Sequence, residues 1–322
     1  MDFESPLGSH CPSFAVTRQC WNLSPDYETA IEICNLDDKE LADLAKKTRI
    51  MVSTVGPYSI HGEPAFKACA ENGTHYFDVT GEVAFIKKMI DKYESVAKST
   101  GAIMIPQIGV ESAPADLITW ALVSKIRQEL SVATAEVVLS LHDLSGTPSG
   151  GTLATVLALN EQFSPSELFA SSKPYALSPM PGPKAKSSAS WLGSRTVPDL
   201  GMLTTSFTGV VDKPCVQRSW GLLGGPKLYG PNFNLECMMR TRNYLTGVIT
   251  HFALFAVAVG LALAPFRWLA RKFVIEAGQG ASEEDMKNER CEYRALATPD
   301  LPGETKRAFA KVVYRGSMYQ CK

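Results

Sequence analysis

Along the first 130 residues, short apolar runs alternate with longer stretches whose apolar positions recur every three or four residues. Ala30–Ile33 is a short apolar patch that reads as a strand. Asn35-Leu36-Asp37-Asp38 then supplies helix-capping side chains, and Leu41, Leu44 and Ala45 follow at helical spacing to about Lys47. Ile50–Val55 is apolar and partly β-branched, and ends at Gly56-Pro57, which predicts a buried strand feeding a loop. Pro64 is placed to open the next helix, with Glu63 capping it and Asn72-Gly73 closing it. His75–Val79 predicts a second strand. Phe85, Met89, Tyr93, Val96 and Ala97 then mark one side of a helix that Gly101 stops. Ile103–Ile105 predicts a third strand, and a helix starts near Pro114 and runs toward Ile126.

This alternation implies α/β architecture with a parallel sheet, whose crossover helices are expected on both faces. Val132–Leu141 reads as a longer strand opening a second domain. Gly146–Thr152 is a loop before a helix through Val156 and Leu159, and segment 174–189, rich in proline, serine and glycine, reads as irregular. The resulting division is an atypical N-terminal segment 1–29, a parallel α/β domain 30–130, a second domain 131–315 and a tail 316–322.

Asn243–Phe266 contains no Asp, Glu, Lys or Arg, while Arg240 and Arg242 precede it and Arg267, Arg271 and Lys272 follow. Three readings stand side by side: a buried core helix, a membrane-seated helix, or a partner-binding apolar surface. Positive charge on both flanks gives no orientation.

Composition narrows the field. A chain that is 45% hydrophobic and 20% charged can bury a substantial core. A formal net charge of −1 gives no concentrated basic face, so nucleic acid is not an expected partner. The eight cysteines are scattered without a Cys-x-x-Cys pair, which argues for reduced thiols in an intracellular protein, cytoplasmic or membrane-associated, and against a compact metal clamp.

Several ordered motifs carry a family resemblance. Val52-Ser53-Thr54-Val55-Gly56-Pro57-Tyr58 followed by Gly62-Glu63-Pro64, the run Ala68–Glu82 containing His75-Tyr76-Phe77-Asp78-Val79-Thr80-Gly81-Glu82, Gly109–Asp116 and Gly150-Gly151-Thr152 together resemble the saccharopine dehydrogenase-like oxidoreductases. Glu276–Glu284 is a more distant match. The branch most resembled is the trans-acting enoyl reductases, which implies NADPH-dependent reduction of an unsaturated polyketide or lipid acyl intermediate, with a synthase as partner. The resemblance departs at the start. Family members begin with a strand and Gly-x-x-Gly-x-x-Gly, which brings backbone amides to the pyrophosphate, whereas Gly8 is the only glycine here before Gly56. The chain thus reads as shortened at both ends, and the resemblance implies an incomplete Rossmann-like parallel sheet with a second α+β domain, 30–130 being a partial dinucleotide-binding domain and 131–315, with the apolar segment 243–266, an α+β substrate domain. A non-catalytic, synthase- or membrane-associated accessory protein is the alternative.

Open parallel sheets bind ligands at the carboxyl ends of their strands. There the resemblance places Gly56, Pro57, Tyr58 and Asp78 as cofactor-binding residues, and Tyr58 and Glu82 as candidate catalytic groups. Asp78 has a turn-stabilising alternative. His75 reads as structural. Ser112 and Asp116 read as the cap and first turn of the helix that Pro114 begins rather than as parts of a hydrolase triad, since no Gly-x-Ser-x-Gly elbow is present. Gly150-Gly151-Thr152 lacks the Lys-Ser/Thr ending of an ATP-binding loop.

Overall fold

The computed structural model describes residues 32–146, 150–184, 189–272 and 288–315. Part of Ala30–Ile33 and all of Glu276–Glu284 lie outside the described residues, and residues 32–35 are not in a strand.

The first regular element is α1 (Asp38–Lys47). Asp37 caps it by accepting the backbone N–H groups of Lys39 and Glu40 at 3.0 Å, and Leu41 and Ala45 turn inward. Strand β1 (Ile50–Ser53), helix α2 (Tyr58–Asn72), β2 (His75–Asp78), α3 (Val83–Thr100) and β3 (Met104–Ile105) follow. The three strands are parallel and adjacent in chain order, with Val52 beside Phe77 and Phe77 beside Ile105. Gly73 and Gly101 end α2 and α3 with φ of 74° and 79°, where a side chain would be strained.

Helix α2 differs from its expected start. It begins at Tyr58, so Pro64 lies inside it and Glu63 is not its cap. A carboxylate from a distant segment, described below, closes this helix end and makes the upstream turn stable. Glu63 instead joins α2 to α3. It accepts hydrogen bonds from Lys88 and Lys92, both at 2.7 Å, and from the Tyr93 hydroxyl at 3.0 Å.

Core packing is one-sided. Phe66, Cys69, Tyr76, Phe85 and Met89 form a buried cluster with α1. The opposite face carries Ile50, Val52 and Ile105, and Val52 is 60% exposed. This corrects the expectation of buried strands with helices on both faces. Right-handed crossovers that advance in one direction, β1 to β2 to β3, deposit their helices on the same face.

Helix α4 (Ala113–Leu130) leads to the second sheet and buries Ile118, Leu122 and Ile126 in that sheet's core. Ser112 stands at its N-cap position, but its side chain makes no cap hydrogen bond. The remaining elements are β4 (Thr134–Ser145), α5 (Gly150–Gln162), α6 (Pro165–Ser172), β5 (Arg195–Val197), β6 (Gly201–Thr205), α7 (Gly209–Leu222), β7 (Asn234–Arg240), α8 (Tyr244–Ala262), α9 (Ala264–Arg271), β8 (Arg290–Pro299) and β9 (Ala308–Arg315).

The second sheet has the order β5-β6-β7-β4-β8-β9; β4 and β7 are parallel and the other pairs antiparallel. Trp220, Tyr229, Phe233 and Tyr293 fill one side, while Val138, Leu200, Leu203 and Met238 form a smaller cluster. The molecule thus pairs a small parallel sheet with a larger mixed sheet and its helices, an α+β domain.

The apolar segment 243–266 folds mainly as α8. Only Gly247 is buried along it, and Phe255 is 64% exposed. The buried-core reading of this segment is overturned.

Candidate functional site

Gly56, Pro57, Tyr58, Asp78 and Glu82 come together at the carboxyl ends of β1 and β2, because parallel strands bring consecutive strand-to-helix loops to one edge. Pro57 is the N-cap residue of α2 and follows a cis peptide bond from Gly56. It offers no side-chain acceptor to the helix. Glu82 supplies one: its two carboxylate oxygens accept the backbone N–H groups of Tyr58 at 2.6 Å and Ser59 at 2.8 Å. A buried anion at a helix N-terminus meets both the unpaired amides and the positive end of the helix dipole.

Tyr58 is buried. Its hydroxyl donates to the carbonyl of Ser53 at 2.9 Å and lies 3.5 Å from the Val79 N–H. Burial, followed by the nearby Asp78 carboxylate, pushes its ionisation above the ordinary phenol range. Tyr58 therefore straps the end of β1 to the loop after β2.

Asp78 organises the third corner. One oxygen accepts the backbone N–H groups of Thr80 at 3.0 Å and Gln107 at 2.9 Å. Gln107 has φ of 63°, so this bond holds a backbone conformation that a non-glycine residue seldom adopts. The other oxygen and the Tyr76 hydroxyl are both buried and face each other without a hydrogen bond of good geometry. Burial raises Asp78 to about 6, even though the Gln107 and Thr80 amides favour its charged form. The Thr80 hydroxyl in turn accepts the Glu82 N–H at 3.1 Å.

The loop after β3 continues this edge. The Ile108 N–H donates to the Asp78 carbonyl at 2.9 Å, and Gly109 passes so close that a Cβ there would lie 3.5 Å from the Val79 carbonyl. Val79 and Ile108 leave an exposed apolar rim. His75 is structural as expected, its Nδ1 accepting the Ile103 N–H at 3.1 Å. Asp116 occupies the first turn of α4 and accepts the Ser219 hydroxyl at 2.6 Å.

One residue near this edge escaped the sequence reading. A Cβ on Gly81 would lie 3.7 Å from both Glu111 and Val211, so the loop after β2 abuts the start of α7. There Asp212 is 1% exposed, with the Thr208 hydroxyl near enough to favour its charge but no hydrogen bond of good geometry. Burial lifts it to about 8, with the Glu111 charge acting in the same direction. Its one signal in the sequence is a carboxylate directly after Val210-Val211, a context too ordinary to single out.

A dinucleotide fits this edge at one end only. Gly56 is exposed, with the Tyr58 ring 3.6 Å from where a Cβ would stand, so its outer side can receive a ribose or an aromatic ring. The diphosphate end has no equivalent. The amides at the start of α2 are engaged by Glu82, and no Gly-rich loop precedes β1 among the described residues.

No protein-family model matches the chain. A Mycobacterium ulcerans protein named trans-acting enoyl reductase is 31% identical over 273 residues, covering 79% of this chain and 64% of the relative. A Bos taurus saccharopine dehydrogenase-like oxidoreductase is 41% identical over 91 residues, 28% of this chain and 21% of its own length. A Caenorhabditis elegans protein named lipid droplet localized protein is 32% identical over 121 residues, 38% of this chain and 28% of the relative. The chain thus spans about 64% of the length of the longest-matching of these relatives.

Proposed function

The chain is homologous to the saccharopine dehydrogenase-like oxidoreductases and trans-acting enoyl reductases, and we propose that it is an NADPH-dependent reductase of an unsaturated polyketide or lipid acyl intermediate. The observation that carries this reading is the convergence of Gly56, Tyr58, Asp78 and Glu82 at one parallel-strand edge, within the segments that match the family motifs. The enoyl-reductase chemistry comes from what the M. ulcerans relative is named; the acyl substrate class, a synthase partner and a cytoplasmic or membrane-associated setting are part of the proposal.

A bound NADPH would provide the hydride for reduction of an α,β-unsaturated thioester. The residues of this chain act on placement. Gly56 leaves the backbone open to the nicotinamide–ribose end. Glu82 fixes the Gly56-Pro57-Tyr58 turn through the Tyr58 and Ser59 amides, and Asp78 holds the 107–109 loop against it. The Tyr58 hydroxyl donates a hydrogen bond to the Ser53 carbonyl and Glu82 has both oxygens engaged, so in this reading both act as positioning residues. The apolar rim of Val79 and Ile108 suits an acyl chain.

A second reading, a non-catalytic accessory protein, is favoured by one observation: the α2 amides are already satisfied by Glu82. Titration of the purified chain with NADPH, followed by cofactor fluorescence, separates the two. Saturable binding that Gly56→Val weakens by about tenfold, a loss of about 1.4 kcal/mol, supports the reductase. Folded chain that binds no NADPH, alone and with a candidate synthase, leaves the accessory reading.

A further inference from the structure

Helix α8 is anchored at one end and bare along the rest. Asn243 caps it by accepting the Thr246 N–H at 2.9 Å. Its first turns dock on β6, where the Thr204 hydroxyl donates to the Gly247 carbonyl at 2.7 Å and the Thr205 hydroxyl meets His251 Nδ1 at 2.7 Å. A Cβ on Gly247 would come within 2.9 Å of the Ser194 hydroxyl and 3.1 Å of the Thr241 methyl, so the helix sits close against these side chains. Beyond His251 the cover ends. Phe252, Phe255 and Val259 share one face at i, i+3 and i+7, while Ala253 and Val257 are exposed on the other side, so the helix is bare around its circumference. A protein partner would cover one face of such a helix; a lipid environment covers the whole circumference.

The topology decides how the helix meets lipid. The chain leaves the second sheet at Arg240 on β7 and re-enters it at Arg290 on β8. Both strands flank β4, and Met239 and Tyr293 are both paired with Leu141. Exit and return therefore lie at the same end of one sheet, on one side of any membrane. A single crossing by α8 would need a second crossing before Arg290. Residues 267–290 carry Arg267, Arg271, Lys272, Glu276, Glu283 and further charges, and hold no apolar run of the length a crossing needs.

We propose that α8 and α9 form a one-sided anchor that seats in a single leaflet of an anionic phospholipid surface without crossing it. Phe252–Ala262 spans about 16 Å at 1.5 Å per residue, about half the hydrocarbon thickness, so the segment is too short to cross and lies within one leaflet with both ends near the headgroups. Tyr244 and Trp268, both exposed, mark its two ends at headgroup level. Between Glu236 and Glu276 the chain has five cations, Arg240, Arg242, Arg267, Arg271 and Lys272, and no carboxylate, which suits anionic headgroups. Arg267 donates to the carbonyls of Leu261 and Ala262 at 2.9 Å, satisfying helix-end acceptors that lipid cannot hydrate.

The test uses the full chain synthesised in the presence of sealed vesicles of phosphatidylcholine with phosphatidylserine. Wild type is expected to float with the vesicles, and the double variant Phe255→Asp/Val259→Asp, with an unchanged circular dichroism spectrum, to lose bound protein by about tenfold or more. A Lys272→Cys chain is expected to react with a membrane-impermeant maleimide, above the wild-type background, equally before and after detergent. Labelling that appears only after detergent would show a crossing and overturn the proposal. A wild-type chain that stays with the soluble fraction would also overturn it. So would a wild-type oligomer that the double variant dissolves, which would assign the surface to a second copy of the chain.

Discussion

The Glu82 carboxylate caps α2 through the backbone N–H of Tyr58, 24 residues earlier in the chain. A loop after one strand thus terminates the helix after another, and the geometry of the candidate site and the stability of the small parallel sheet depend on the same side chain.

Glu82→Ala leaves the buried Tyr58 amide and the part-buried Ser59 amide without their acceptor, and is expected to lower unfolding free energy by about 2 kcal/mol. Glu82→Gln is expected to recover only part of this, because its amide nitrogen turns a donor toward one of the two N–H groups. Urea denaturation of the three chains, followed by circular dichroism, checks the order. Equal stability of wild type and Glu82→Ala would show that the cap contributes nothing.

Glu63 should mark the acid limb of stability. Burial opposes its charge, but hydrogen bonds from Lys88, Lys92 and Tyr93 outweigh that and hold it down to about 2. A depressed carboxyl contributes stability that is present above its unfolded value near 4.5 and is lost as pH falls toward 2. Thermal melts at pH 7 and pH 3 are expected to differ less in Glu63→Gln than in wild type. The gain from Glu63 at neutral pH is expected to be about 1 kcal/mol, since the group is partly exposed.

Asp212 has the opposite sign. Its folded value of about 8 lies above the ordinary carboxyl value of 3.8, so the folded state holds a proton that the unfolded state releases. Stability from this group is full below pH 4 and declines as pH rises to 8. Asp212→Asn is expected to stabilise the chain by about 2 kcal/mol at pH 8 and to have little effect at pH 4. Denaturation at the two pH values measures the difference, and a destabilised Asn variant at pH 8 would contradict the assignment.

The two faces of the small sheet should respond unequally to substitution. Val52→Thr on the open face is expected to change stability by less than about 0.5 kcal/mol. Met89→Ala, in the cluster between α3 and the sheet, is expected to cost about 2–5 kcal/mol. A large loss at Val52 would show that this face is covered in solution, and the same denaturation series would detect it.

Much of the architecture is a local property of the chain. The apolar runs at 50–55, 75–79 and 103–105 mark three strands, Gly73 and Gly101 stop two helices, and the charge-free stretch 243–266 becomes α8, because period and punctuation are written in neighbouring residues. The strand-end position of Gly56, Tyr58, Asp78 and Glu82 was also legible, since a parallel sheet sends its loops to one edge.

What tertiary structure alone decided is who meets whom. Glu82 reaches back to start α2 upstream of Pro64, Glu63 leaves the helix end for Lys88 and Lys92, and Asp212 is buried near Glu111, all through contacts with residues distant in sequence. The open face bearing Val52 follows from the direction of successive crossovers, and the bareness of α8 follows from how few of its residues touch the sheet. Hydrophobic periodicity states that a surface wants cover; only the path of the chain through space determines whether the chain itself provides it.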